Sequence, residues 1–347
     1  MVENTTTDDV SRRKILAVGG AVGAAGLAGC SSVLGSSGPA NLHDGGSSTV
    51  YPIAKDASAY WGANRPAGDS DYWQPSSWGI QTDKNLADYW GGLYGFSGSG
   101  ESGSPPFEVT VKLSHSGTGC TKVMNGQYDI GNSSAPVQAE LDLDDYSKFK
   151  DHVVGVDGQP LVVSSAVKQA GVEQITLEEL KGIYTGEITN WSALGGPDKD
   201  ILVLGRVKNS GTSSSFRANV FGDSGFDTSV DQRYGQNQQL ATAISNSDNA
   251  ISYLALAFVD TAGVAPIGLN VDGTLYEYGK NLGASEYPLS RDLHMYTYGG
   301  TSKKEAAFLR MILSDFGQET FVKPANYFTL PADRQQTQLS KLPEPTN

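Results

Sequence analysis

The chain is poor in cysteine and histidine and has no long apolar run. Of its 347 residues, two are Cys and four are His. Cys30 and Cys120 lie far apart, so neither a disulfide scaffold nor a Cys-based zinc site is available. His43, His115, His152 and His294 are scattered, and none pairs with another at metal-ligand spacing. No stretch reaches the length of about 18 apolar residues that marks a membrane-spanning helix. Basic residues are few as well. Lys+Arg is 25 against Asp+Glu 38, a net charge of −13, and no basic stripe of the kind nucleic-acid binders need is visible. The signatures G-x-x-x-x-G-K-[ST], H-E-x-x-H and G-x-S-x-G are absent, so nothing points to a P-loop, a metalloprotease or a nucleophile elbow. No cofactor and no metal are expected, and the chain does not read as an enzyme. What remains is a length that suggests two domains and an apolar fraction of 38%, enough to bury a core.

The first thirty residues read as an address. A polar start leads to Arg12-Arg13-Lys14-Ile15-Leu16, then an Ala/Gly/Val/Leu stretch ends at Leu27-Ala28-Gly29-Cys30. A charged region, a short apolar region and small residues before a Cys, in that order, are the layout of an export signal. The paired arginines resemble a twin-arginine signal, and the last four residues resemble a lipobox, in which Cys30 becomes the lipidated N-terminus. Residues 1–29 are therefore read as a twin-arginine lipoprotein signal. The protein is expected outside the cytoplasm, held to the outer face of the cell membrane by lipid at Cys30 without spanning it. The signal carries three acids and three bases, so the mature chain keeps the full −13, a surplus that suits a high-salt habitat. Cys120 is left as a lone thiol, expected to be a small packed residue near a helix start.

Residues 30–46 are Ser/Gly-rich and read as a flexible tether. A second linker-like loop spans 97–106. Between them lies an aromatic-dense stretch with Trp61, Trp73, Trp78 and Trp90, read as a local aromatic core under an insertion at about 56–106, with a sugar- or partner-binding platform as the alternative. Beyond Phe107, short apolar runs alternate with helical patterns. Strands are predicted at 107–113, 129–130, 152–156, 160–164, 201–205, 250–253 and 293–298. Helices are predicted at 121–125, 176–184, 213–221, 238–245 and 303–316. This alternation predicts an α/β fold with mostly parallel sheets. Thr176-Leu177-Glu178-Glu179 reads as a capping box.

One pattern recurs at strand ends: Gly46-Ser47-Ser48-Thr49, Ser116-Gly117-Thr118-Gly119 and Ser210-Gly211-Thr212-Ser213, the last with Arg206 just ahead of it. Such segments can hold an oxyanion with little net charge. A helix N-terminus offers free N–H groups and a partial positive charge. Glycine lets the backbone approach closely. Hydroxyls rotate to fit a tetrahedral ligand, and a guanidinium binds two oxygens at once. His115 beside Ser116 could suggest a base and a nucleophile, but neighbours on a strand point to opposite faces.

These residues carry a resemblance. Over most of 42–347 the chain resembles the phosphate-binding proteins of phosphate ABC importers. The matching pieces are 46–52 (GSSTVYP), 114–119 with 125–136, 180–191 (LKGIYTGEITNW), Arg206 with Ser210-Gly211-Thr212, 250–253, 287–291 and Gly317-Gln318. The resemblance implies an α/β, two-lobed periplasmic-binding-protein-like fold, with two crossovers forming a hinge and a ligand cleft between the lobes. Lobe I would comprise 47–157 and 287–347, and lobe II 158–286, with crossovers near 153–159 and 287–290. It implies phosphate ligands at Ser48, Thr49, Val50, Ser116 and Ser134 from lobe I, and at Arg206, Ser210, Gly211 and Thr212 from lobe II. It implies a monomer that delivers inorganic phosphate to the transmembrane subunits of an ABC permease. Two positions depart from the family. Ser134 stands where some members carry an Asp that accepts the proton of phosphate and repels sulfate, which leaves sulfate, tungstate or arsenate open as ligands. Lys208 stands where an acid often steadies the guanidinium. A surface sensor or adhesive lipoprotein with no transporter is the reading from a different class.

Overall fold

The computed structural model describes residues 41–98 and 103–346. The export signal, Cys30 and the tether up to residue 40 lie outside the described residues. The strands in chain order are β1 (Leu42–Ser47), β2 (Val109–Ser114), β3 (Ile130–Ser133), β4 (Phe149–Gly158), β5 (Leu161–Val163) and β6 (Gln174–Thr176). They continue as β7 (Leu202–Arg206), β8 (Gln232–Tyr234), β9 (Ala250–Tyr253), β10 (Ala265–Val271), β11 (Thr274–Tyr276) and β12 (Ser290–Tyr298). A five-stranded sheet in the order β2-β1-β3-β12-β4 carries the first lobe. A second sheet, β11-β10-β5-β9-β7-β8 with β6 also on β10, carries the other. The two-lobed α/β architecture implied by the resemblance is the one observed.

The chain leaves the first sheet at the end of β4 and enters the second at β5. It returns through β12, which runs antiparallel beside β4 with Arg291 opposite Asp157. The two crossovers are bonded to each other: Gln159 N–H donates to the Leu289 carbonyl (3.0 Å), and the Tyr287 hydroxyl to the Gln159 carbonyl (2.6 Å). The strands at the two crossovers, β12 and β5, make both sheets mixed rather than mostly parallel. β1 pairs in parallel with β2 and β3, but β12 is antiparallel to both its neighbours, and β5 is antiparallel to β9 and β10.

Residues 42–46, read from composition as the end of a tether, instead form most of β1. Their glycines serve close packing. A Cβ on Gly45 would stand 2.5 Å from the Lys112 carbonyl oxygen. One on Gly46, whose φ is +140°, would stand 2.3 Å from that of Asn132. Only glycine lets this strand lie so near its neighbours. The capping box at 176–179 forms as read. Thr176 Oγ1 accepts from the Glu179 N–H (3.2 Å), and Glu179 Oε2 accepts from the Thr176 N–H (2.7 Å).

The aromatic stretch is core. Helix α1 (Tyr51–Ala63) buries Ile53, Ala54, Ala57 and Trp61, and α2 (Leu86–Gly92) buries Trp90. Trp61 packs on Phe107 and Phe308, and its indole N–H donates to the Phe107 carbonyl (2.8 Å). Trp73 packs on Trp90 and Phe316 and donates to the Lys84 carbonyl (3.0 Å). Trp61 and Trp73, with satisfied indoles inside aromatic rings, are packing elements, not an exposed platform. Truncating a buried Trp removes both its transfer free energy and its contacts. Trp61→Ala is expected to lower stability to urea by about 3–5 kcal/mol, while the folded fraction keeps its cleft intact; urea melts and near-ultraviolet circular dichroism check this.

Candidate functional site

Three helices start at the facing edges of the two lobes. In the first lobe, α1 follows β1 with Val50 at its N-cap, and α3 (Ser116–Met124) follows β2 with His115 at its N-cap. In the second lobe, α7 (Gly211–Phe221) follows β7 with Ser210 as N-cap. Intervening helices are α4 (Val137–Glu140), α5 (Ser165–Gln169) and α6 (Leu177–Thr185), and α8 (Asn237–Ser245) follows β8. Each hydroxyl–glycine segment thus lies at a strand-to-helix joint. Residues 116–119 do not precede a helix, as composition suggested; they are its first turn, and Cys120 sits buried inside it. Burial holds that thiol well above its ordinary range, leaving it protonated.

The joints meet. Thr49 Oγ1 lies 3.0 Å from Thr212 Oγ1, one hydroxyl from each lobe. Ser134 Oγ lies 3.1 Å from Ser47 Oγ and 3.4 Å from Ser116 Oγ, and the Ser134 N–H donates to Ser116 Oγ (3.2 Å). Gly211 closes on this pair: a Cβ there would stand 2.3 Å from Ser116 Oγ and 2.6 Å from Ser134 Oγ. Ser48 joins through Asn237, whose amide Nδ2 donates to Ser48 Oγ and to Thr49 Oγ1, each at 3.1 Å. Ser210 has a different task, since its Oγ accepts from the Ser213 N–H (3.2 Å) and caps α7. The Val50 side chain is core, which leaves only its backbone to the cleft. The sequence-read residues from both lobes are therefore brought together, with Ser47 and Asn237 added.

Arg206 is 1% exposed. Its Nε donates to the Tyr234 carbonyl (3.1 Å) and its Nη2 to the Gly235 carbonyl (2.7 Å), so its Nη1 reaches Thr212 Oγ1 (3.4 Å). Backbone carbonyls do the steadying that an acid two residues on does elsewhere in the resembling family. Lys208, at that position, turns outward to Asp227 (2.8 Å) with both side chains exposed. Desolvation lowers Arg206 to about 10, still charged at neutral pH.

Four further buried groups escaped the sequence reading: Arg291, Asp157, Gln159 and Asn237. Asp157 Oδ2 accepts from Arg291 Nε (2.9 Å) and Nη2 (2.7 Å), and Gln159 Nε2 donates to the Thr212 carbonyl (3.0 Å). Arg291 lay within the 287–291 signature. Nothing local marked it, because its partner is 134 residues away. Among the described residues, Asn237 Oδ1 and Gln159 Oε1 are buried and accept no hydrogen bond. The Ser116 hydroxyl faces Ser134 rather than an imidazole. His115 is lowered by desolvation and by the Arg206 charge.

A carboxyl also lies between the lobes. Glu140, at the end of α4, has both oxygens buried, one of them beside Gly117 at the start of α3. Desolvation raises it to about 8, opposed by Ser214 and the Gly117 backbone. Asp44, fully buried in β1, is raised to about 7 by desolvation. A carboxyl raised in the folded state stabilises it below the unfolded value, and that stability is lost as pH rises through the folded value. His152, lowered to about 4 by desolvation, acts with the opposite sign, but only below about pH 6.5. Between pH 6.5 and 8, stability to urea is therefore expected to fall, and Glu140→Gln is expected to flatten that fall; urea midpoints at both pH values check it.

The PBP superfamily domain matches residues 101–316. The phosphate-binding protein PstS of Bacillus subtilis is 31% identical over 224 residues, covering 65% of this chain and 72% of that protein. The phosphate-binding protein PstS of Pseudomonas aeruginosa is 24% identical over 289 residues, covering 77% and 86%. Among solved structures, a substrate-binding protein from Clostridium perfringens with bound phosphate matches 84% of this chain and 100% of its own, with TM-score 0.58 and 23% identity. An ABC-type phosphate transport receptor from Vibrio cholerae matches the same shares with TM-score 0.55 and 21% identity. Those two likenesses establish the fold; the domain match and the Bacillus relative establish descent. The chain belongs to the PBP superfamily and, within it, to the family of the PstS phosphate-binding proteins.

Proposed function

We propose that this chain, as a PstS-family phosphate-binding protein, captures inorganic phosphate outside the cytoplasm and delivers it to an ABC-type permease by closing its two lobes on the anion. The observation that carries this is the meeting of Thr49 and Thr212 across the cleft, with a buried Arg206, bonded to no carboxylate among the described residues, reaching the same hydroxyl. The open form presents the α1 and α3 N-termini on one side and α7 with Arg206 on the other. An anion that bonds to both sides gains most of its contacts only when the lobes close, so it shifts the population toward the closed form. Hydrogen bonds to a charged ligand contribute about 1.5–3 kcal/mol each. A handful exceeds the cost of ordering the cleft. No covalent step is involved, so the protein is a carrier and not a catalyst.

The ligand residues we assign are Ser48, Thr49, the Val50 backbone, Ser116 and Ser134 from lobe I (42–157 and 287–347). From lobe II (158–286) they are Arg206, Ser210 through its backbone, Gly211 and Thr212. One observation favours a second anion. Ser134 supplies a neutral hydroxyl where a carboxylate would repel a fully ionised ligand, so sulfate is admitted better than by a site with Asp there. Export by the twin-arginine route and lipidation at Cys30 complete the reading, with the folded carrier a monomer at the outer face of the membrane. Cys30→Ala would then release the protein into the medium.

Calorimetric titration of the chain from Ser31, stripped of bound ligand by unfolding and refolding, tests the reading. Phosphate is expected to bind tightly with one site per chain; binding of neither phosphate nor sulfate would sink it. Arg206→Ala is expected to weaken phosphate binding by well over tenfold with the fold intact. Ser134→Asp is expected to raise the preference for phosphate over sulfate, read as the ratio of the two Kd values.

A further inference from the structure

We propose that Arg291 is a second anion-binding cation of the cleft and that Asp157 is its positioning residue, so that the ligand is held directly by the strands that form the hinge. The inference rests on the anion-binding reading above and adds to it a residue outside the three hydroxyl–glycine segments.

The two guanidinium groups are held by different frames. Arg206 ties Nε and Nη2 to backbone carbonyls and leaves Nη1 to Thr212 Oγ1 at 3.4 Å. Arg291 ties Nε and one Nη2 proton to Asp157 Oδ2, and Nη1 to the Ser134 carbonyl (3.2 Å). Its remaining Nη2 proton is shared between Thr212 Oγ1 at 3.3 Å and Thr49 Oγ1 at 3.4 Å. Both arginines thus fix Nε and a terminal nitrogen on a rigid frame and send one N–H to the same Thr212 hydroxyl. Those N–H groups make long contacts to neutral hydroxyls, whereas a guanidinium fork binds the oxygens of an oxyanion at shorter range and more strongly.

Charge counting points the same way. Two buried like charges that reach one oxygen repel each other, and burial of a cation is costly unless it is compensated. Asp157 compensates one of them. Its Oδ1 is occupied by the Leu256 N–H (2.9 Å), a backbone group of the second lobe, and its Oδ2 by Arg291. Glu140 is raised to about 8 and so is mostly neutral at pH 7. Lys208 and its Asp227 partner lie on the surface. The buried cluster therefore carries a surplus positive charge, which an anion beside Thr49 and Thr212 would neutralise.

Position gives the arrangement its consequence. Asp157 is near the end of β4 and Arg291 near the start of β12, opposite each other in register at the two crossovers. An anion bound by Arg291 bears on the hinge itself as well as on the lobe rims.

The test is titration of phosphate and of sulfate into wild type, Arg291→Gln, Arg291→Lys, Asp157→Asn and the Asp157→Asn/Arg291→Gln double variant. Arg291→Gln is expected to raise the phosphate Kd more than tenfold. Arg291→Lys, which keeps the charge and loses the fork, is expected to recover part of that loss. Asp157→Asn is expected to weaken binding several-fold on its own and to add nothing in the Arg291→Gln background, which a merely structural residue would not do. A folded Arg291→Gln protein with wild-type affinity overturns the proposal, as does an Asp157→Asn effect of equal size in both backgrounds. If Arg291→Gln does not fold, wild-type affinity in both Arg291→Lys and Asp157→Asn overturns it. Failure of the wild-type chain to bind either anion would instead sink the anion-binding reading, and this proposal with it.

Discussion

Burying guanidinium charge among uncharged hydroxyls is the constraint from which most of the cleft follows. Arg206 lies inside the protein, bonded to no carboxylate among the described residues, so the Nε and Nη2 donors that turn away from Thr212 are held by fixed acceptors. Those acceptors are carbonyls at Tyr234, the last residue of β8 and opposite Arg206 in the parallel pairing with β7, and at Gly235, which follows it. The same constraint selects glycine at 211, because the α7 N-terminus must come within contact of Ser116 and Ser134. Hydroxyl groups suit this setting. They donate or accept as needed and cost far less to bury than a charge.

The crossovers answer the same demand from another direction. Arg291 is compensated by Asp157, and the pair is possible only because the returning strand β12 lies against β4 with these two residues opposite each other. A buried ion pair of this kind is weak evidence for stability, since desolvation offsets the attraction, but it strongly fixes geometry. Burial raises Asp157 and the Arg291 charge opposes that, so the carboxylate and the guanidinium depend on each other. The hinge is thereby tied to the cleft by a polar contact rather than by apolar packing alone.

Local chemistry was legible in the sequence, and distant pairing was not. The capping box at Thr176 and Glu179 could be read because both partners fall within one turn. The hydroxyl–glycine segments could be read because Ser, Thr and Gly at a strand-to-helix joint have a local job. β1 was missed for a related reason: Gly45 and Gly46 look like a linker until the carbonyls of Lys112 and Asn132 are brought beside them. β6, β8, β10 and β11 were missed because strands of three to seven residues on mixed sheets lack a clean period. The mixed pairing involves both crossovers, one entering the second sheet at β5 and one returning through β12, and no window of sequence contains them. Arg291, Asn237 and Asp157 belong to this class as well. Each is an ordinary polar residue until residues more than a hundred positions away close around it.

The acid balance of the chain and the basic character of its cleft are compatible because they occupy different dielectric environments. The chain carries −13, yet two guanidinium groups, Arg206 and Arg291, reach Thr212 in the cleft, and Asp157 compensates one of them. Surface acids act through water and are screened beyond a Debye length of about 10 Å at 0.1 M salt. Arg206 and Arg291, both nearly excluded from solvent, act over hydrogen-bond distances where screening is weak. Lys208 shows the division within a few residues of chain: turned outward, it forms an exposed pair with Asp227 and adds nothing to the cleft. Rising salt therefore weakens the long-range repulsion between the acidic surface and an incoming anion more than it weakens the contacts that hold the anion once the lobes have closed. An acidic exterior opposes the approach of the ligand and leaves its retention to the buried arginines and hydroxyls.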